Sequence, residues 1–410
     1  MNWFNWQQKE NLVSILCLHS LYLVVFFAPV YLIRLSIANI PTNLLEIFIL
    51  ISFFLCIFSC KKIQIKKLYA IKKFLIIILF LLLGLITSSI FGKNPLTELG
   101  IIKSWFLFPL LFSLLIFVKI DTFKKIEAIL KYYYFSSLTL SLLGIIYIAS
   151  GKLTYDGRLS LFYLSPNHFS MLLAPAALIG FYFIFSTQKT ALFQFFQFII
   201  LLNFYFTYSY SAWIAVIFSL FLFLLLTKRA FFSKPIHILG IFIVSSVLLI
   251  SQFQNPKIQN IFNSKNHSSL ESRLIIWKVS KKIISENFIW GIGPGNFQET
   301  YLSCQKYFPP YPEWAVPQPH NIFLAFWLQT GIIGLLSFLL LIFLWMKDLF
   351  FFTIKNDSTQ FKKMSALLLV IMLYILLHGL LDTPYWKNDL SLYFWIFFIL
   401  GLILKENITN

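Results

Sequence analysis

Charged residues make up only 12% of this chain, where a soluble domain carries about 25%. That deficit excludes an ordinary soluble protein. Cysteine is also scarce. Of the four, Cys17, Cys56 and Cys60 lie in or beside early apolar runs. Cys304 alone falls in a long loop, so no loop disulfide pair is available. No His/Cys cluster has zinc spacing. Neither a P-loop nor a Gly-x-Ser-x-Gly elbow is present. Metal-dependent glycosyl transfer has little support, because no Asp-x-Asp pair falls in the exposed loops. The sequence therefore gives no reason to expect a metal or a cofactor.

What is abundant is apolar: 59% of residues are hydrophobic, 49 of them Phe, and the mean hydropathy is +0.81. This is the composition of an integral membrane protein. Apolar runs between polar breaks predict about twelve helices, near 12–33, 40–59, 74–91, 101–118, 132–150, 167–186, 191–208, 211–227, 236–252, 320–346, 364–381 and 390–404. The fold class is all-α and polytopic, a single membrane domain over residues 1–410. The first run, Leu12 to Ile33, has no small-residue cleavage site behind it and reads as a span, not as a cleavable signal.

The net charge of +18 would suggest nucleic acid in a soluble protein. Here it follows the positive-inside rule, and no nucleic-acid partner is expected. Lys61 to Lys73, Lys119 to Lys131, Lys228 to Lys234 and Lys347 to Lys363 form four cationic clusters. With twelve helices all four fall on one side, the cytoplasm, and both termini join it. The opposite face carries short loops at 34–39, 92–100, 151–166 and 382–389. It also carries one long loop, 253–319, between the ninth and tenth helices. Loops of this length are usually functional.

Within that loop, residues 252–269 read as a linker, and Ser268 with Glu271 has capping-box spacing. Leu270, Leu274, Trp277, Lys281 and Ile284 fall at helical spacing, as in an amphipathic helix on a membrane surface. Gly291, Gly293 and Gly295 lack the βαβ context of a nucleotide fold and read as a turn. Pro309, Pro310, Pro312, Pro317 and Pro319 stiffen the approach to His320.

His320 with Asn321 is the best candidate for chemistry. An imidazole at a membrane edge can take a proton from a hydroxyl near neutral pH; its bland role is a single structural hydrogen bond. Arg273 can hold phosphate oxygens in its fork, or it is one cation of a face drawn to lipid headgroups. Lys278, Lys281 and Lys282 read as headgroup contacts. Arg158 adds a cation to the same face, unless it merely pairs with Asp156. His378 and Asp382 stand four apart at a helix end. They form a supporting pair or simply lock that end.

His320-Asn321, nine residues, Gly331, two residues and Gly334 together resemble the motif of bacterial O-antigen ligases, within the wider ligase and polymerase group. Ser272-Arg273 with Trp277, the Gly291–Phe297 run, Gly157-Arg158 with Pro166-Asn167, and His378 to Pro384 resemble the family as well. The likeness runs over nearly the whole chain. One departure stands out. Where the family often has Ser-Arg-Gly-Ala-Trp, this chain reads Ser209-Tyr210-Ser211-Ala212-Trp213. Arg158 then compensates for the missing arginine, or the donor differs, or the protein is inactive.

The resemblance implies a glycan transferase of the bacterial inner membrane with a periplasmic site. The donor would be a glycan on undecaprenyl pyrophosphate and the acceptor a sugar hydroxyl, on lipid A–core or another glycan, among membrane lipids. His320 would be catalytic, Arg273 and Arg158 would bind the donor pyrophosphate, and Asn321, His378 and Asp382 would support them. The transfer would invert the anomeric carbon and need no metal. A polysaccharide polymerase is the nearest rival. A lipid or glycan transporter is another, although transporters place polar groups near mid-membrane.

Overall fold

The computed structural model describes residues 2–37, 40–59, 65–186, 190–227, 269–309, 316–356 and 358–409. The described chain is overwhelmingly helical. It runs α1 (Asn2–Phe26), a 3-10 turn (Ala28–Leu32) and a short hairpin of β1 (Arg34–Ile37) and β2 (Ile40–Asn43). Next come α2 (Leu44–Ser59), α3 (Ile65–Ala70), α4 (Lys72–Ile90) and α5 (Pro95–Ile101). A π-helical stretch (Ile102–Leu107) joins α5 to α6 (Phe108–Lys119). The chain then forms α7 (Phe123–Ala149), α8 (Pro166–Ser186), α9 (Ala191–Phe206) and α10 (Tyr210–Thr227). After the undescribed residues come α11 (Ser269–Glu286), α12 (Phe297–Gln305), α13 (Ile322–Lys355), α14 (Thr359–Gly379) and α15 (Asn388–Thr409).

Among the described residues eight helices are long and apolar enough to cross a membrane: α4, the Pro95–Lys119 run, α7, α8, α10, α13, α14 and Asn388–Glu406. Leu12–Phe26, Leu44–Ser59 and Ala191–Phe206 are shorter apolar helices. The expected helix at 236–252, the cations Lys228, Arg229 and Lys234, and the Ser268 cap lie outside the described residues. Large apolar side chains on α10, among them Ile214, Ile217, Phe218 and Phe221, are exposed. In water they would be a liability; in lipid they are at home. The most buried helices are α15 and α8, then α14, and Trp345 of α13, Trp386 just before α15 and Trp395 of α15 are almost fully enclosed. Cys17 and Cys56 are joined by a disulfide between α1 and α2, so the cysteines pair within apolar helices and not in loops.

The glycine motif has a packing role. Inside α13, Gly331 leaves the helical region (φ 66°, ψ −176°). The resulting gap admits the turn after α11. Ile332 N–H donates to Ile289 O at 3.0 Å, and Ile292 N–H donates to Leu328 O at 2.7 Å. These bonds satisfy backbone groups that a broken helix would otherwise orphan. Gly84 lets α4 come close to α13 at Gly334: a Cβ on Gly84 would lie 2.5 Å from Gly334 N. The turn at Gly291, Gly293 and Gly295 has the positive φ expected of it. It is pinned to α4 and α5, where Gly293 N–H donates to Ser88 Oγ at 3.0 Å and Asn296 Nδ2 donates to Glu98 Oε1 at 2.6 Å.

The helix expected in the long loop is present as α11, but its buried face is shifted from the expected line. Leu270 and Leu274 are about half exposed and Lys281 is exposed. Of the expected line only Trp277 and Ile284 turn inward; Ile275, Ile276, Val279 and Ile283 join them in packing with Phe297, Tyr301 and Leu328. The physical reason is area. The isoleucine and valine positions make a wider apolar stripe than the Leu270 line. α12 and α13 are there to cover it.

Candidate active site

His320 sits where the 316–321 approach meets α13. Trp277 of α11 holds that approach by donating from Nε1 to Pro319 O at 3.0 Å. Beyond it, Asn321 caps α13, its Oδ1 accepting from Phe323 N–H and Leu324 N–H, both at 3.0 Å. Asn321 Nδ2 also donates to Leu380 O at 3.0 Å, which ties the cap to the end of α14. Between these anchors His320 adopts φ 48°, a left-handed conformation that costs a non-glycine residue about 1–3 kcal/mol. Such strain persists where the surroundings over-determine a side chain's direction. Here it aims the imidazole at Asp382, with Nδ1 3.2 Å from Oδ1. An Nδ1–H donated to this carboxylate leaves Nε2 as the acceptor.

Asp382 is buried in the turn between α14 and α15. Its Oδ1 also accepts from Thr383 N–H at 2.9 Å, and Oδ2 accepts from Asn167 Nδ2 at 2.8 Å. Arg273 Nη2 lies 3.9 Å from Oδ2. Burial alone would raise the carboxyl's pKa. His320, Arg273 and His378 outweigh it and hold the group well below the usual carboxylate range.

The expected side-chain pairing of His378 with Asp382 is not formed. α14 ends at Gly379, and the N–H groups of Leu381 and Asp382 both fold back on His378 O. Spacing of four brings side chains together only along a continuing helix. In this turn the 382 side chain swings away to His320. His378 Nδ1 lies 2.8 Å from the Tyr374 hydroxyl instead, and its buried Nε2 has no hydrogen-bond partner among the described residues.

Arg158 reaches the same network from the loop after α7. Its Nε donates to Thr207 O at 2.8 Å and its Nη2 to Asn167 Oδ1 at 2.6 Å, while Nη1 lies 3.8 Å from Asp156. Asn167 therefore bridges Arg158 to Asp382. Burial, and then the neighbouring charge of Arg273, press the Arg158 pKa down, with Asp156 and Asp382 acting against them. The expected Asp156 pair is thus only one part of its surroundings. Arg273 donates from Nη1 to Ser269 Oγ at 2.9 Å, and its buried Nε has no hydrogen-bond partner among the described residues. Tyr210 lies within electrostatic reach of Arg158. Two guanidiniums, one histidine and one carboxylate from four separate segments thus meet at one end of the bundle. Among the described residues no group of three or more His, Cys, Asp or Glu side chains is placed to hold a metal ion.

The O-antigen ligase family model matches residues 195–339. This chain carries an O-antigen ligase domain. The match takes in Tyr210, Arg273, His320, Gly331 and Gly334. Arg158, Asn167 and Asp382 lie outside it, and the fold brings them to the domain's own His320 and Arg273. No curated protein matches the chain. The domain and the apolar helices make this a multi-pass membrane protein of the glycan-transferase type that O-antigen ligases and polymerases share. Sequence reasoning missed Asn167 as a bridge. Its one signal was its place after Pro166 at the head of a helix.

Proposed function

We propose that this protein moves a glycan from undecaprenyl pyrophosphate to a sugar hydroxyl, most directly one on lipid A–core, at the periplasmic face of the inner membrane. The observation that carries this reading is the His320–Asp382 contact with Arg273 beside the same carboxylate. The hydroxyl oxygen attacks the anomeric carbon as the carbon–pyrophosphate bond breaks. Nε2 of His320 accepts the hydroxyl proton. Arg273, with Arg158, stabilises the charge that grows on the leaving pyrophosphate. Attack opposite the leaving group inverts the carbon. Asp382 holds the imidazole in the tautomer that leaves Nε2 free, the part an aspartate plays in hydrolase triads.

The test is complementation of a ligase-null strain that carries the matching glycan genes. Wild type should restore the lipopolysaccharide ladder. No ladder from a well-expressed chain would sink the ligase reading. Single repeats on the core after gene loss would mark a polymerase; long glycan stranded on undecaprenyl pyrophosphate marks a ligase.

Asn167→Ala should slow transfer by about 10-fold or more without lowering the amount of protein in the membrane. A hydrogen bond to a charged group contributes about 1.5–3 kcal/mol, and Asn167 makes one to each partner. Turnover of the purified variant, compared with an immunoblot of its membrane level, checks this.

A further inference from the structure

His168 and Asp389 form a second histidine–aspartate pair, which the proposed chemistry leaves unused. Both side chains are buried. His168 Nε2 lies 3.1 and 3.3 Å from the two carboxylate oxygens of Asp389. A nitrogen that close to a carboxylate carries the proton, so Nε2–H donates. The rings of Tyr163 and Tyr31 stand 4.5 and 6.4 Å from the imidazole. Enclosed in this way, neither group can reach a sugar hydroxyl. Its neighbours in the chain connect the pair to the site. His168 follows Asn167, whose Nδ2 donates to Asp382 Oδ2 at 2.8 Å. Asp389 stands at the start of α15, at the other end of the turn that Asp382 opens. The head of α8 and this turn are thus joined at two points, Asn167 to Asp382 and His168 to Asp389.

Consecutive residues on a helix point about 100° apart, so the two bonds pull in different directions. One hydrogen bond leaves the turn free to swing about it; two from one rigid helix start do not. That helix start is itself fixed. Ser165 Oγ accepts from Asn167 N–H at 3.1 Å, and Ser165 O accepts from His168 N–H at 3.1 Å. Inside the turn, the N–H groups of Tyr385 and Trp386 fold back on Thr383 O, and that of Lys387 on Tyr385 O. A tilt at Asp389 is therefore carried back to Asp382. Trp105 holds the turn as well, donating from Nε1 to Asn388 Oδ1 and accepting from the Tyr385 hydroxyl on its backbone oxygen, both at 3.0 Å. Those bonds tie the turn to the π-helical stretch, not to the α8 residue that holds Asp382. We infer that His168 is a positioning residue for the transfer: through Asp389 it fixes the tilt of the α14–α15 turn, and so the bearing of Asp382 on His320 Nδ1. Drift of about 1 Å at such a contact can cost 10²-fold in rate.

The inference rests on the transferase reading for its consequence, and the experiment separates the two. The full chain, its histidine ring nitrogens isotope-labelled for magnetic resonance, is reconstituted in nanodiscs at about pH 8.5, where free imidazole is neutral. The signals of His320 are assigned by their loss in His320→Ala. In wild type Nδ1 should carry the proton, as the Asp382 contact demands; a proton on Nε2 would overturn the inference at once. His168→Ala should return His320 toward the Nε2–H form that an unrestrained imidazole favours, and should cut turnover about tenfold. His168→Gln, whose amide can donate to Asp389, should keep the wild-type tautomer and turnover within about threefold of wild type. Asp389→Ala should repeat the His168→Ala result from the other side of the contact. A buried charge left unpaired can unfold a variant; if both alanine variants are lost that way, His168→Gln decides by keeping or losing the Nδ1–H signal. An unaltered tautomer or unaltered turnover in folded His168→Ala overturns the inference. Equal losses in His168→Ala and His168→Gln overturn it too, because packing and not the donor would then be at stake. If wild type transfers nothing while the tautomer responds as stated, the transferase reading fails and the hold of His168 on His320 stands.

Discussion

His320→Ala is expected to cut glycan transfer by about 10²–10⁴-fold, the range a positioned general base supplies, with the protein still present in the membrane. The side chain is partly exposed and its ring contacts Asp382 rather than the packed core, so its loss should spare folding. Asp382→Asn should produce a loss of similar size for a different reason. If the new amide group faces His320, it donates where the carboxylate accepted. The proton is then driven to Nε2 and the base is lost. If it turns the other way, its NH₂ meets the donors of Asn167 and Arg273. Neither orientation restores the native arrangement. Transfer within about threefold of wild type for purified His320→Ala, a loss under 1 kcal/mol, would remove His320 as the base. The pH dependence of stability provides a further check. The folded pKa of Asp382 is depressed, so its stabilising contribution is fully present above the ordinary carboxylate pKa of about 3.9. It disappears as pH falls through the lower folded value. The stability gap between wild type and Asp382→Asn should thus close only under strong acid. Thermal unfolding in detergent across pH measures it.

The helices were legible because lipid imposes a length and a hydropathy that apolar runs record directly. His320, Arg273 and Arg158 were legible because ionisable groups at a membrane edge demand a reason. Asp382 was legible as a residue but not in its partner. Spacing of four assumes a helix that continues, and α14 stops at Gly379. Asn167 was hidden for a simpler reason. A neutral amide has no chemistry of its own to advertise, and its importance lies in two contacts made by distant segments. The buried side of α11 was misjudged because two apolar stripes were possible, and only the packing of α12 and α13 selects the isoleucine stripe.

Gly331→Ala should cost about 3 kcal/mol or more of stability, and should impair transfer even in the molecules that fold. At φ 66° and ψ −176° Gly331 occupies a region essentially closed to other residues, a strain of about 1–3 kcal/mol. A Cβ there would also lie 2.4 Å from Ile289 O and 2.9 Å from Trp290 O. Both are backbone atoms, and Ile289 O is the acceptor that satisfies Ile332 N–H across the break. The contact cannot relax by a rotamer change; the turn itself must withdraw and give up that hydrogen bond. Gly151 is the matched control. Its φ is 68°, yet a Cβ there meets nothing within 4 Å. Gly151→Ala therefore isolates the conformational cost, about 1 kcal/mol. The difference between the two variants in detergent unfolding reports the packing of the turn against α13. Equal small shifts would mean that the break tolerates a side chain and that the glycine of the motif is needed elsewhere. Transfer should follow stability only in part. The turn fixes the direction of Ile322 to Thr330, the segment that Asn321 caps and His320 precedes. Displacing it moves the imidazole away from Asp382, and misplacement of about 1 Å can cost 10²-fold in rate. A Gly331→Ala protein that keeps its fold at low temperature should thus still transfer poorly there, whereas Gly151→Ala should transfer like wild type.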